Sequence, residues 1–493
     1  MLEQKATYRQ IFRATSIFGG VQVYNIIVGI IRAKIIAILL GPTGVGIISL
    51  FTSTIQLLNQ ATGFGVDQSG VRDIAEAYGT RDEKRISITF TVVRKIIWFT
   101  GLLGAIVCII FAGSLSELTF GTSDYRWSFV VLSGVILLTQ LGNGQSMLLR
   151  GTRRIKELAK SSMLGATLGL LVSIPFYYFY GIKGIVPSLF LSSVFICSIY
   201  WLYARKLKVL PSYLPLNQIF KQSKLMVKFG IMLVLSSLLG SLIMYIIRIF
   251  ISNTGSVNEV GLFSACFMII ENYVRMVFAA MATDFYPRLS AINKWNDKLN
   301  EMTNYQIAIG ISIIAPLIVI FIVFAPFLLV LLYSEEFVPI TTMLQLAIVG
   351  VLFQVASWAM TFIMLAKADT KLYFVKESIA GIFMLLIYIL GYYCYGLVGI
   401  GIAFILANIF HLCICFVFVH KSSKFYFDDK YFLMLSIYLL LIIGTLLSAF
   451  FLEGGIQVFI YTLCIICAFL KAFLDLDKRI GLREIFLHYW KNK

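Results

Sequence analysis

Residues Asn304 to Tyr333 read NYQIAIGISIIAPLIVIFIVFAPFLLVLLY, a stretch without one charged side chain. A helix of about 20 apolar residues crosses a hydrocarbon core of about 30 Å, so this run can span a bilayer and is too apolar for a water-facing surface. Its apolar residues are continuous, whereas a membrane β-strand shows alternating segments of about ten residues. The remaining way to satisfy every backbone amide in lipid is a bundle of α-helices.

Comparable runs lie at 13–40, 44–64, 88–112, 127–149, 159–180, 182–203, 226–252, 258–283, 340–366, 373–395, 396–419, 431–452 and 455–474. The expected fold class is therefore an all-α polytopic membrane protein with about 14 transmembrane helices. Composition agrees: 59% of the 493 residues are hydrophobic and 13% charged, against about 25% charged in soluble domains. Lys5, Arg9 and Arg13 precede the first run and no small-residue cleavage site follows it, so it reads as a retained helix and not a signal peptide.

A net charge of +17 raises nucleic acid as a partner, but that reading needs the basic residues gathered on one solvated face. Here they sit in short connectors: Arg81, Lys84 and Arg85; Arg150, Arg153 and Arg154; Arg205, Lys206 and Lys208; Arg288 and Lys294; Lys367 and Lys371; Lys421 and Lys424; Lys478 and Arg479. All fall after even-numbered spans, and the opposite side carries only Arg126 and Lys183. Cytoplasmic loops retain positive charge, so both termini are expected in the cytoplasm, with no nucleic-acid partner. The eight cysteines lie inside apolar runs, including the Cys464 and Cys467 pair, and read as packing residues; no metal site or cofactor is expected.

The longest connector, 204–225, contains Pro211 and Pro215 and separates two sets of six spans. Transporters are often built from repeated halves, and the sequence repeats. Ile31-Arg32 precedes Gly46-Ile47 much as Ile247-Arg248 precedes Gly261-Leu262, and Asp67 and Asp284 follow at similar distances. Tyr180-Gly181-Ile182-Lys183-Gly184-Ile185 matches Tyr395-Gly396-Leu397-Val398-Gly399-Ile400. The expected domains are an N-lobe (1–203), a cytoplasmic linker (204–225), a C-lobe (226–420) and two appended helices with a tail (421–493).

An ionisable side chain at the bilayer centre costs at least a few kcal/mol, so such residues face a bundle interior or a wet cavity. Arg32, Lys34, Arg248 and Arg275 are the candidate substrate-binding cations. Snorkelling to the interface is the competing reading for Arg32 and Arg248. Glu271 lies one helical turn from Arg275, where an ion pair is open to it. Glu271, Asp67 and Asp284 are candidates for ion coupling or gating; structural pairing of Asp67 with Arg72 and of Asp284 with Arg288 is the favoured reading for the two aspartates. His411 reads as a hydrogen-bonded interior residue in preference to a proton relay. Cations in a low-dielectric cleft repel one another unless an anion is bound, which suits phosphate and argues against a cationic drug.

The stretch from Arg32 through Lys34, Gly41, Pro42 and Gly44 to Gly46 resembles the end of the first helix in the Wzx group of O-antigen and enterobacterial-common-antigen flippases, in the polysaccharide transporter family. Glu259-Val-Gly261-Leu-Phe, Tyr286-Pro287-Arg288-Leu289 and the paired Tyr-Gly-x-x-Gly turns carry the same resemblance, over about the first 420 residues. It implies the fold of the multidrug, oligosaccharidyl-lipid and polysaccharide exporter superfamily: two six-helix lobes, related by a pseudo-twofold axis, around a central cationic cavity. The implied cargo is undecaprenyl-pyrophosphate-linked oligosaccharide, moved from the cytoplasmic to the periplasmic leaflet of the bacterial inner membrane. Membrane lipids, a coupling proton or sodium ion, and polysaccharide polymerase and chain-length proteins are the other partners it suggests. Arg32, Lys34 and Arg248 match the family's cavity charges best.

Two rivals differ in kind. A multidrug antiporter of the same fold is expected to place acidic residues at its cargo site. A membrane polymerase or glycosyltransferase needs a sizeable extramembrane loop or a carboxylate cluster at an aqueous face, and the short loops between these spans supply neither, so no enzyme activity is expected.

Overall fold

The computed structural model of the protein describes the backbone of residues 2–207, 209, 212–271 and 275–481, with side chains from Gly19 onward except at 216, 220–222, 225, 229, 233, 275 and 480. Every regular element among the described residues is helical. Contacts divide the chain into two compact units, one running to Leu262 together with Leu332–Ser334, the other taking Phe263–Leu331 and everything from Glu335.

The first unit opens with α1 (Leu2–Gly63), which breaks at Gly41 with φ 61° and ψ −170°. Pro42 follows at once, so the break falls where one residue tolerates positive φ and the next has no N–H to give. Phe64 and Gly65 then turn the chain through positive φ into α2 (Val66–Gly79), which buries Val66, Ile74 and Ala77. The sequence reading treats this stretch as a connector; it is an amphipathic helix packed on the bundle. Next come α3 (Glu83–Ile110), α4 (Ala112–Phe120), α5 (Arg126–Gly151), α6 (Ile155–Tyr180), α7 (Ile185–Ala204) and α8 (Leu216–Thr254). Asp82 caps α3 by accepting from the backbone N–H groups of Lys84 and Arg85, which satisfies two of the orphan donors of the first turn. Val66, Ile74, Phe90, Val93, Met147, Leu148, Ile219 and Met226 form one core between α2, α3, α5 and α8. Helix α8 therefore begins earlier than the expected 226, because Ile219 is drawn into that core.

Across the expected span 258–283 the described residues are helical, as α9 (Val257–Ile269) and α10 (Arg275–Ala291), with 272–274 outside the described residues. The second unit continues with α11 (Asn296–Leu332), α12 (Thr341–Ala366), α13 (Thr370–Ser423), α14 (Asp429–Phe451) and α15 (Gly454–Ile480). Trp358 of α12 stacks with Phe278 and Phe285 of α10 at 5.3 and 5.9 Å. Tyr438 of α14 donates to Asp475 of α15, which also pairs with Lys471.

Ten helices among the described residues are long and apolar enough to cross a membrane. Three of them, Gly19–Gly63, Ile155–Leu207 and Thr370–Ser423, are 45, 53 and 54 residues long, room for two crossings each at about 20 residues per crossing. Each turns at a glycine: Gly41, Gly181 and Gly396. Gly181 (φ 54°, ψ −132°) and Gly396 (φ 57°, ψ −140°), matched in the sequence repeat, share one conformation. Three residues on, a Cβ at Gly184 would strike the carbonyl of Phe176 and one at Gly399 the carbonyl of Gly391, again at matching places. The bundle is apolar outside and partly polar inside: Trp98, Leu102, Ile106, Ile109 and Ile110 of α3 are exposed while Ser116, Ser161, Ser173 and Ser188 are buried. Such an outer face suits hydrocarbon, where no hydrophobic force drives it inward.

Candidate functional site

A cavity of about 450 Å³ lies within the first unit, between α1, α5 and α7, with Asp67 of α2 and Val234 of α8 at its edge. Gln56, Asn59 and Gln60 project into it from α1 beyond the Gly41 break, and Gln140 and Asn143 from α5. Residues three and four apart share a helix face, so each set forms one polar strip on an otherwise apolar helix. Ser192 and Ser193 of α7 complete the polar wall. Gln140 Nε2 donates to Thr100 Oγ1 at 3.3 Å, while Asn59 Oδ1 and Gln60 Oε1 meet no hydrogen-bond partner among the described residues. Amide groups both donate and accept, the complement a hydroxyl-rich ligand needs.

Among the described residues, Arg32 supplies the positive charge of this cavity. It makes no hydrogen bond or ion pair among the described residues. A guanidinium presents five donors in a planar fork suited to phosphate or carboxylate oxygens. The carboxylate is Asp67, which also sits in the first turn of α2, where the helix dipole favours an anion. The pairing of Asp67 with Arg72 favoured from sequence does not form: Arg72 takes the neighbouring Asp73 at 2.8 Å. Arg32 and Asp67 are thus the two sequence-derived site residues that share the cavity.

The others lie elsewhere. Lys34 is part-buried on α1, and Arg248 part-buried on α8; neither lines this cavity. Asp284 accepts from Arg288 Nε at 2.9 Å, as the pairing reading expects, and both side chains are largely exposed. Glu271 is exposed just beyond α9, and the side chain of Arg275, with its expected ion pair to Glu271, falls outside the described residues. Among the described residues no group of three or more His, Cys, Asp and Glu could hold a metal.

Two groups of polar residues went unread in the sequence. One is the amide strip itself, whose three- and four-residue spacing was a legible signal. The other is a charged cluster in the second unit. Lys376 of α13 is fully buried and donates to Glu377 Oε1 at 2.5 Å and Thr361 Oγ1 at 3.0 Å. Its third contact is His411 Nε2 at 3.2 Å. An ammonium has three donors and no acceptor, so three acceptors saturate it and His411 presents a lone pair there. The interior reading of His411 agrees with this contact.

The sequence matches the family described as polysaccharide biosynthesis protein over residues 35–342. The lipid III flippase of Escherichia coli (strain K12) is 22% identical over 350 residues, covering 71% of this chain and 83% of that protein. The lipid III flippase of Shigella flexneri matches to the same extent. The solved structure of the lipid II flippase MurJ, in an inward closed conformation, matches with a TM-score of 0.67 at 13% identity, over 96% of this chain and 100% of that one. An inward-facing multidrug resistance MATE family transporter of the MOP superfamily gives 0.66 at 16% identity, over 82% and 94%. These relatives are named as flippases and transporters, not as enzymes. With more than half of its length matched, the chain belongs to the polysaccharide biosynthesis protein family and is a multi-pass membrane protein with the helical fold of the MOP superfamily.

Proposed function

We propose that this protein is a flippase for undecaprenyl-pyrophosphate-linked oligosaccharide, an O-antigen or related repeat unit, moving it from the cytoplasmic to the periplasmic leaflet by alternating access. The observation that carries the reading is Arg32, a cation with no ion-pair partner among the described residues, held beside Gln56, Asn59 and Gln60 in a cavity inside the membrane-spanning unit. In this reading the guanidinium meets pyrophosphate oxygens, the amides meet sugar hydroxyls, and the lipid tail stays in the bilayer. Lys34, Arg248 and Arg275 remain candidate cargo-binding cations outside this cavity, Glu271 and Asp284 candidates for coupling to protons or sodium, and both termini face the cytoplasm. Likeness to lipid III flippases over most of both chains supports a lipid-linked cargo. Deleting the gene is expected to accumulate a defined lipid-linked oligosaccharide on the cytoplasmic face, restored by the wild-type chain and not by Arg32→Gln. Normal surface polysaccharide in the deletion strain would overturn the proposal.

A second reading, export of cationic drugs, is favoured by Asp67 in the same cavity and by the likeness to a multidrug transporter. Raised resistance to cationic dyes on overexpression, lost in Asp67→Asn, would establish it in place of the first.

A further inference from the structure

A second cavity, of about 520 Å³, opens between α3, α5 and α7 and is lined by Arg94, Trp98, Gln145, Trp201, Arg205 and Val209 among others. Among the described residues no acidic side chain lines it. Arg94 sits within a membrane-spanning helix, part-buried, and makes no hydrogen bond or ion pair among the described residues. A charge held at such a place needs water or an anion beside it.

The depth of Arg94 follows from its neighbours. One residue on, Lys95 Nζ reaches the carbonyl of Leu214, and three residues before, Thr91 Oγ1 accepts from Ser212 N at 3.0 Å. Both partners belong to the segment between α7 and α8, so this level of α3 lies at the polar boundary and not the bilayer centre. Arg205 stands at the adjoining end of α7 with its guanidinium 5.1 Å from the Trp201 ring centre. Trp98 and Trp201 are 56% and 50% exposed, and tryptophans at this level mark the headgroup zone. The same ends of α3, α5 and α7 carry Arg81, Lys84, Arg85, Arg153, Arg154 and Lys206, the basic side that attracts an anionic leaflet.

We infer that this pocket binds the phosphate of an anionic phospholipid, with Arg94 and Arg205 on its oxygens, Gln145 beside them and the acyl chains against Trp98 and Trp201. Two guanidinium forks facing one opening match a phosphodiester better than a zwitterionic headgroup, whose ammonium they would repel. The inference does not depend on what the protein transports.

The full-length chain, purified in detergent, is offered dioleoylphosphatidylglycerol or dioleoylphosphatidylcholine at equal concentration and observed by native mass spectrometry. Wild type is expected to retain the anionic lipid with a preference of roughly tenfold or more, and Arg94→Gln/Arg205→Gln to lose most of it, with Arg94→Lys between them. Lys183→Gln, outside the pocket and away from that basic side, is expected to behave as wild type. As a measurement that needs no charge variant, brominated phosphatidylglycerol in vesicles should quench tryptophan fluorescence more than brominated phosphatidylcholine, and Trp98→Phe/Trp201→Phe should abolish the difference. Equal retention of the two lipids by wild type, or undiminished preference in the double arginine variant, would overturn the inference. Displacement of phosphatidylglycerol by farnesyl pyrophosphate at a far lower concentration would overturn it too, by assigning the pocket to an isoprenoid diphosphate.

Discussion

Gly46 of α1 and Gly261 of α9 lie back to back: a Cβ on Gly261 would collide with the carbonyl oxygen of Pro42, and a Cβ on Gly46 with that of Val257. These are the glycines that follow Arg32 and Arg248 in the two halves of the repeat. The backbones approach so closely because neither residue has a side chain to keep them apart, the small-residue contact on which helix pairing in lipid depends.

Gly261→Ala should therefore separate α1 from α9 at a cost of about 1–3 kcal/mol, seen as a lower melting temperature in detergent. Gly240→Ala, where a Cβ meets nothing within 4 Å, should leave it unchanged or slightly raised. Equal melting of the two variants would mean that the crossing is not tight.

Removing the charge of Arg32 should cut transport with the protein still present in the membrane. Hydrogen bonds to a charged group contribute about 1.5–3 kcal/mol, so Arg32→Gln is expected to lower flipping roughly tenfold to a hundredfold, read as cytoplasmic accumulation of lipid-linked oligosaccharide. Arg248→Ala is expected to abolish translocation likewise, without loss from the membrane.

Asn59 and Gln60 divide stability from function. Their amide oxygens are unmatched within the described residues, and a buried unsatisfied acceptor costs about 1–3 kcal/mol. Asn59→Leu should leave the melting temperature unchanged or raise it while reducing transport; a stability loss with normal transport would assign the amide to structure alone.

Breaking the Lys376 and Glu377 pair on one side should be severe. A buried charge left without its partner costs about 3–5 kcal/mol, so Lys376→Met and Glu377→Gln are each expected to melt early. The double variant should recover much of the loss, a coupling measurable as a double-mutant cycle.

Asp284→Asn provides the contrast. Its partner Arg288 is as exposed as it is, and exposed pairs contribute less than about 1 kcal/mol. The variant should melt with the wild type, and a transport defect in it would then point to gating.

How much of this was legible in advance varies with the range of the interaction. Gly181 and Gly396 were matched from the chain alone because a turn is local: the residue that must take positive φ is visible as a glycine. Helix α2 was missed because its charged face, with Arg72, Asp73 and Glu76, hid a buried strip of Val66, Ile74 and Ala77. Lys376 was missed because its three partners come from two helices and from places as distant as His411. No spacing rule connects them.

The order of residues by itself determined that the chain enters the membrane as helices, that two of the long ones turn at Gly181 and Gly396, and which cations are expensive enough to need a reason. Those properties depend on backbone hydrogen bonding and on transfer into hydrocarbon, and each is settled within one segment of chain. Which polar faces meet was decided only by tertiary packing. A helical period says that Gln56, Asn59 and Gln60 point the same way, but the neighbours that turn that face into a cavity with Arg32, Asp67 and Gln140 are chosen by how α1, α2, α5 and α7 pack.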